Sequence, residues 1–245
     1  MPSKTRAYPC TLVKINDKYL VFDTGPGSLR QLLLAGVTYL DVDCLYYSHF
    51  HPDHSLDLVS FLFAMRYNEP KRTKPLHITG PTGLKAFHEG LLLTFGEVIK
   101  PKTFDLYLRE VDTGELSCDD WKITVAPVQH ALHSVGFRIE SRDGRTLTYS
   151  GDTDYGDGII QLARKVNTLV LECSFPDDQK VEEHLTPQLC ARIARESQCE
   201  RLILSHFYPV CDAYIKETHN DLIKKLENIF NGVIVFAEDF ARFTI

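Results

Sequence analysis

Three histidines and an aspartate fall within six residues in His49-Phe50-His51-Pro52-Asp53-His54. Imidazole nitrogens and carboxylate oxygens are good ligands for zinc and related transition ions. In extended chain, side chains two residues apart point the same way, so His49 and His51 share one direction. Asp53 and His54 fall on the turn that follows and face a second position. One loop can therefore serve two adjacent metals. The chain has ten histidines in 245 residues, too few for this cluster to be an accident of a histidine-rich surface.

Such a loop must be held by regular structure. It follows the short buried strand Cys44-Leu45-Tyr46-Tyr47 and precedes a helix in which Leu58, Phe61, Leu62 and Met65 recur at helical spacing. Three further polar residues sit just past predicted strands. His130 follows Trp121 to Val128, Asp152 follows Thr146 to Tyr149, and His206 follows Leu202 to Leu204. Function gathers on loops at one edge of a rigid sheet. Each of the three has a structural alternative when taken singly; beside the histidine loop they reinforce one another as ligands.

The rest of the chain reads as the frame. Thr11 to Phe22 is two strands around a turn at Asn16-Asp17, and Ser28 to Leu34 is helical. Leu76 to Thr79 is a strand, and Gly80-Pro81-Thr82-Gly83 opens a helix ending near Phe95. Gly136 to Glu140 and Thr146 to Tyr149 form a hairpin across Asp143-Gly144, a strong turn signal. Thr168 to Leu171 is a strand. Pro187 takes the first turn of a helix after Thr186. A helix from Ile215 to Phe230 and a strand at Val233 to Phe236 finish the chain. Strand pairs followed by alternating strands and helices predict a layered α/β fold, sheet inside and helices outside.

Length and composition fit one domain over 1–245. The acidic balance, a formal net charge of −6, argues against nucleic-acid binding by bulk charge. No apolar run is long enough to span a membrane, and the first residues have no signal-peptide character. The seven cysteines are odd in number, irregularly spaced and without a CxxC pair. They read as reduced thiols in a cytoplasm.

The loop His49 to His54, with His130, Asp152 in Gly151-Asp152-Thr153 and His206 in Ser205-His206-Phe207, resembles the metallo-β-lactamase superfamily over nearly the whole chain. That resemblance implies a four-layer αββα sandwich with the site at one edge. It implies His49, His51 and His130 on one metal, Asp53, His54 and His206 on the other, and Asp152 bridging the two. The ligand types suit two divalent ions, zinc first, with manganese and iron also served. Two metals a few ångströms apart can share a hydroxide and clamp both oxygens of a displacement. Asp53 would also accept a proton from the attacking water.

Three further positions refine the resemblance. Asp23-Thr24-Gly25-Pro26-Gly27 fits the superfamily's early D-x-G-x-G turn, where Asp23 either caps the turn or belongs to the support of the metal loop. His184, before Leu185-Thr186, resembles the histidine of the ribonuclease Z branch and its phosphodiesterase relatives that protonates the leaving oxygen. Glu172, which also resembles that branch, ends a buried strand and needs a partner, a histidine or a metal ligand, unless it forms a simple structural salt bridge.

The chain also departs from that branch. Only 21 residues separate His130 from Asp152, which leaves no room for the tRNA-gripping arm of ribonuclease Z. His206-Phe207-Tyr208-Pro209 replaces the branch's usual last motif. Tyr149 and Ser150 stand where the branch carries a carboxylate that tunes its general acid. The branch opens with one more strand than Met1 allows; either the start at Met1 is late, or the fold tolerates a missing edge strand, whose unpaired sheet edge a partner in a homodimer would cover. Lys71, Arg72 and Lys74 form the one compact basic run, read as a solvated loop rather than a phosphate site.

The expectation is a cytoplasmic dinuclear metal hydrolase with Asp53 and His184 in catalysis. It would act as a phosphodiesterase on a small molecule or short nucleotide, with tRNA a doubtful substrate. Thioester, lactone and sulfate-ester hydrolysis share the same ligands and stay open, as does a non-catalytic metal-binding sensor.

Overall fold

The computed structural model describes residues 3–245, and contacts divide the chain into two compact units, Ala7–Asp112 and Thr113–Ile245 with the described residues 3–6. Met1 and Pro2, on which the N-terminal reading partly rests, lie outside the described residues.

The first unit carries a five-stranded sheet. Its strands are β1 (Thr11–Ile15), β2 (Lys18–Phe22), β3 (Val42–Tyr46), β4 (Leu76–Gly80) and β5 (Leu106–Glu110), neighbouring one another in chain order. β1 and β2 form the expected hairpin; β2 through β5 run parallel. Helices α1 (Ser28–Leu34), the single turn α2 (Pro52–Ser55), α3 (Leu58–Tyr67) and α4 (Leu84–Phe95) connect them. On α3 the apolar positions 58, 61, 62 and 65 are all buried, as their spacing demands. They pack with Val21, Leu45, Tyr47 and Ile78 in this unit's core.

The second unit holds seven strands, also neighbouring in chain order: β6 (Gly114–Ser117), β7 (Trp121–Pro127), β8 (Val135–Ser141), β9 (Thr146–Tyr149), β10 (Thr168–Glu172), β11 (Arg201–Ser205) and β12 (Val233–Phe236). β6 to β9 are antiparallel and β9 to β12 parallel. Helices α5 (Asp157–Leu162), α6 (Pro187–Ser197) and α7 (Pro209–Glu227) make the crossovers. β10 is buried at every position, the mark of a parallel strand covered on both faces. Its core includes Leu169, Leu171, Cys190, Ile193, Leu204 and Leu222.

Several boundaries move. α7 begins at Pro209 rather than Ile215, because Pro209 takes the first helical position, where a missing N–H costs nothing. β5, β6 and α5 carry no clear pattern and were not expected; β5 alternates exposed and half-buried residues through Arg109 and Glu110. The basic run is not a solvated loop throughout. Arg72 is 2% exposed, and its guanidinium donates to the carbonyls of Tyr39, Leu40 and Pro75. Burial lowers its pKa to about 10. Lys74 donates to the Asp41 carbonyl and pairs with Asp43. The seven cysteines are free thiols, five of them buried. Among the described residues no helix is long and apolar enough to cross a membrane.

One partly buried ion cluster ties Arg6 to α7. Arg6 Nε and Lys216 Nζ donate to Asp212, 2.5 and 2.6 Å away, and Arg6 lies over the Phe207 ring. Burial opposes ionisation of Asp212, but Lys216 and Arg6 hold its carboxyl below the ordinary value. A lowered folded pKa stabilises the fold above the unfolded value, about 3.9, and that contribution is lost as pH falls through the folded value. Asp212→Asn should therefore cost about 2 kcal/mol of unfolding free energy near neutral pH, the scale of a charged hydrogen bond. In urea titrations the gap to wild type should close below pH about 4; a gap constant with pH would contradict this account.

Candidate metal centre

The two units each present half of the expected ligand set, and each half is built around a buried carboxylate.

In the first unit, β3 ends at Tyr46 and the chain turns into the histidine loop. Asp23, just past the end of β2, is fully buried. Its Oδ1 accepts from the Ser48 amide at 2.8 Å; its Oδ2 accepts from the Ser48 hydroxyl at 2.7 Å and pairs with His54 Nδ1 at 2.8 Å. Burial opposes ionisation of Asp23, but His54, His49 and the Ser48 amide outweigh it and lower its pKa. An ionised Asp23 is an acceptor only, so His54 carries its proton on Nδ1 and leaves Nε2 as a ligand atom. That Nε2 lies 3.9 Å from an Asp53 oxygen. Ligands bound tetrahedrally at ~2.0 Å lie ~3.3 Å apart, so this is nearer the separation of two ligands than of a hydrogen bond.

His49 is buried and its ring centroid lies 4.6 Å from that of His51 and 4.3 Å from that of His54. Pro52 starts α2 directly after His51, which puts Asp53 and His54 on a helical turn as expected. Both readings of Asp23 hold in part: it stands at a turn, with φ of 58°, and its side chain anchors the metal loop. The turn's backbone joins in, since the Thr24 amide donates to the His54 carbonyl at 2.6 Å.

In the second unit, β7, β9, β10 and β11 all end at the same sheet edge. β8 returns antiparallel between β7 and β9, and the other three run parallel. The loops there carry His130, Asp152, Glu172 and His206. His130 Nε2 lies 3.9 Å from Asp152 Oδ2, and His206 Nδ1 lies 3.5 Å from Asp152 Oδ1. Each Asp152 oxygen thus faces its own histidine, the disposition a bridging carboxylate needs. Ligand atoms of His130, Asp152 and His184 lie within 4.8 Å of one another. This donor set fits a divalent ion.

Glu172 plays the part that Asp23 plays in the first unit. It is 3% exposed. Oε1 accepts from the Thr153 amide at 3.1 Å and pairs with His184 Nδ1 at 2.8 Å. Oε2 accepts from the Ser174 amide and hydroxyl at 3.1 and 2.7 Å, and from the Leu185 amide at 3.3 Å. Of the two partners open to Glu172, a histidine is the one present. The Ser174 hydroxyl also lies 3.0 Å from His206 Nδ1. His206 itself has φ of 54°, a left-handed conformation worth about 1 kcal/mol or more of strain at a non-glycine residue.

Ser48, Ser174 and Thr153 were not singled out from the sequence. Ser48 and Thr153 adjoin His49 and Asp152, and Ser174 lies two past Glu172; a small hydroxyl so close to such a residue is the signal that could have found them.

Gly25 shows how closely the first half is packed: a Cβ there would sit 2.0 Å from the Asp53 carbonyl oxygen. Gly27 has open space around it but φ of 90°. Gly25→Ala should cost about 3 kcal/mol in urea unfolding through overpacking, and Gly27→Ala about 1 kcal/mol through strain alone. Equal costs would contradict the packing described.

A family model for the beta-lactamase superfamily domain matches residues 18–207. Ribonuclease Z of Archaeoglobus fulgidus is 25% identical over 296 aligned positions, covering 98% of this chain and 92% of that protein. The alignment is longer than this chain, so that relative carries segments absent here. Among solved structures, the metallo-beta-lactamase fold protein YhfI from Bacillus subtilis superposes with a TM-score of 0.82 at 24% identity, over 97% of this chain and 92% of that one. Human tRNase Z, short form, superposes with a TM-score of 0.78 at 22% identity, over 100% and 95%. The mixed α/β fold, with two sheets and their helices, is the one expected. The chain belongs to the metallo-β-lactamase superfamily, as a ribonuclease Z-like metal-dependent hydrolase.

Proposed function

We propose that this chain is a dinuclear phosphodiesterase acting on a small molecule or a short nucleotide. The observation that carries the proposal is the Glu172–His184 pair at the sheet edge that also bears His130, Asp152 and His206. Phosphodiester cleavage must discharge a basic alkoxide, and a histidine held by a buried carboxylate is suited to donate that proton. The similarity to ribonuclease Z supports the same bond class.

In this reading residues 1–245 form one hydrolase domain, which the single family match running from 18 to 207 supports. His49, His51 and His130 would hold one ion and Asp53, His54 and His206 the other, with Asp152 as a ligand to both. Zinc is the first candidate, with manganese and iron suited to the same donors. Bound divalent ions would supply Lewis acidity at phosphoryl oxygens and ionise water near neutral pH. The protein's own residues do the rest. Asp53 accepts the proton of the attacking water. Glu172 accepts from His184 Nδ1–H and stabilises the imidazolium, so His184 Nε2–H protonates the leaving oxygen. Ser48 and Asp23 keep His54 Nε2 available as a ligand. The short span between His130 and Asp152 and the net charge of −6 favour a small substrate over tRNA. Reduced thiols suit the cytoplasm, and a homodimer is the expected assembly.

The test is hydrolysis of bis(p-nitrophenyl) phosphate by chelated protein restored with zinc or manganese. Turnover should appear with metal and vanish in His51→Ala. His184→Ala should lower kcat by about 10²–10⁴ on a diester with an alcohol leaving group, and far less on the p-nitrophenyl ester, whose phenolate leaves unaided. Equal losses would remove the general-acid role. Turnover of a thioester or lactone, with none on either diester, would overturn the phosphodiester reading.

A further inference from the structure

The segment that carries His184 is tied to the rest of its unit by a residue outside the metal and proton-transfer sets. Asp154 lies two residues past Asp152. Its Oδ2 accepts from the Glu183 amide at 3.1 Å and from Lys180 Nζ at 2.7 Å; its Oδ1 accepts from the Tyr155 amide at 2.7 Å. Its own amide donates to the Gln129 carbonyl at 2.6 Å. Glu183, the residue it holds, has φ of 66°. The Glu183 carbonyl in turn accepts from His130 Nδ1 at 2.9 Å.

These contacts form one line: Lys180 ammonium, Asp154 carboxylate, Glu183 peptide, His130 ring. The carbonyl at its end decides which His130 nitrogen carries the proton, because a carbonyl accepts only and the proton must sit on Nδ1. Nε2, the atom facing Asp152, is thereby left as the donor to a cation. The Glu183 peptide keeps that orientation only while its backbone stays left-handed, a strained conformation for glutamate. The bond from the Glu183 amide to Asp154 opposes its relaxation.

We propose that Asp154 is a positioning residue of the metal centre: by pinning Glu183 it fixes the tautomer and aim of His130 and the place of His184 on the neighbouring residue. The proposal rests on the reading of His130 as a metal ligand. Lys180, 36% exposed, contributes to Asp154's orientation but not to the Glu183 bond itself.

The experiment is zinc affinity, read by competition with a coloured chelator, on the full chain, with thermal melting of the metal-free protein alongside. Asp154→Ala should weaken zinc binding about 10- to 100-fold, the usual effect of losing an outer partner of a metal-bound histidine. Lys180→Met should stay within about fivefold, the ceiling of an exposed ion pair. Asp154→Asn, with one carbonyl oxygen for two backbone donors, should fall between them, and it carries the test should the alanine variant not fold. Adding Glu183→Gly to Asp154→Ala should restore most of the lost affinity, because glycine holds positive φ without strain. Wild-type zinc affinity in Asp154→Ala, or equal losses in Asp154→Ala and Lys180→Met, would overturn the proposal. Wild-type affinity in His130→Ala would instead overturn the ligand reading on which it stands.

Discussion

The centre depends on two carboxylates buried at strand ends. An ionised carboxylate removed from water costs several kcal/mol unless hydrogen bonds replace its hydration. Asp23 and Glu172 meet that demand in the same way. Each accepts from the amide and hydroxyl of a nearby serine, Ser48 or Ser174, and each pairs with the Nδ1 of a histidine, His54 or His184. The loops around them have little freedom, because a shift in either would strand a buried charge.

The pairing also explains the strain found beside the centre. Asp23, Glu183 and His206 all have left-handed backbones, and each is engaged in the hydrogen-bond sets described. A non-glycine residue keeps such a conformation only where its surroundings over-determine it. The parallel strands supply that rigidity: β10 is buried along its whole length and lies between β9 and β11. The chemistry sits on loops, and the fixed strand ends aim them.

Much of this was legible in the sequence. The spacing His49 to His54 marked a candidate metal loop, and strand ends marked His130, Asp152 and His206 as candidate ligands, because ligand chemistry and strand periodicity both operate over a few residues. Helix α3 was readable for the same reason, its four apolar positions being sufficient. β5 was not, since it exposes much of its surface and carries Arg109 and Glu110. The burial of Arg72 was hidden because its acceptors are backbone carbonyls with no side-chain signature, and two of the three, those of Tyr39 and Leu40, lie more than thirty positions away. Asp154 escaped notice for a related reason: it accepts from the backbone amide of Glu183, and sequence carries no direct mark of a backbone donor's partner.

The proposed function requires a pair of divalent ions per chain. Elemental analysis of the purified chain after saturation with zinc and removal of loosely bound metal tests it most directly. The account predicts two equivalents per chain, falling to one or fewer when Asp152, the bridging carboxylate, is replaced by alanine. One equivalent in the wild-type chain, or two retained in Asp152→Ala, would contradict it.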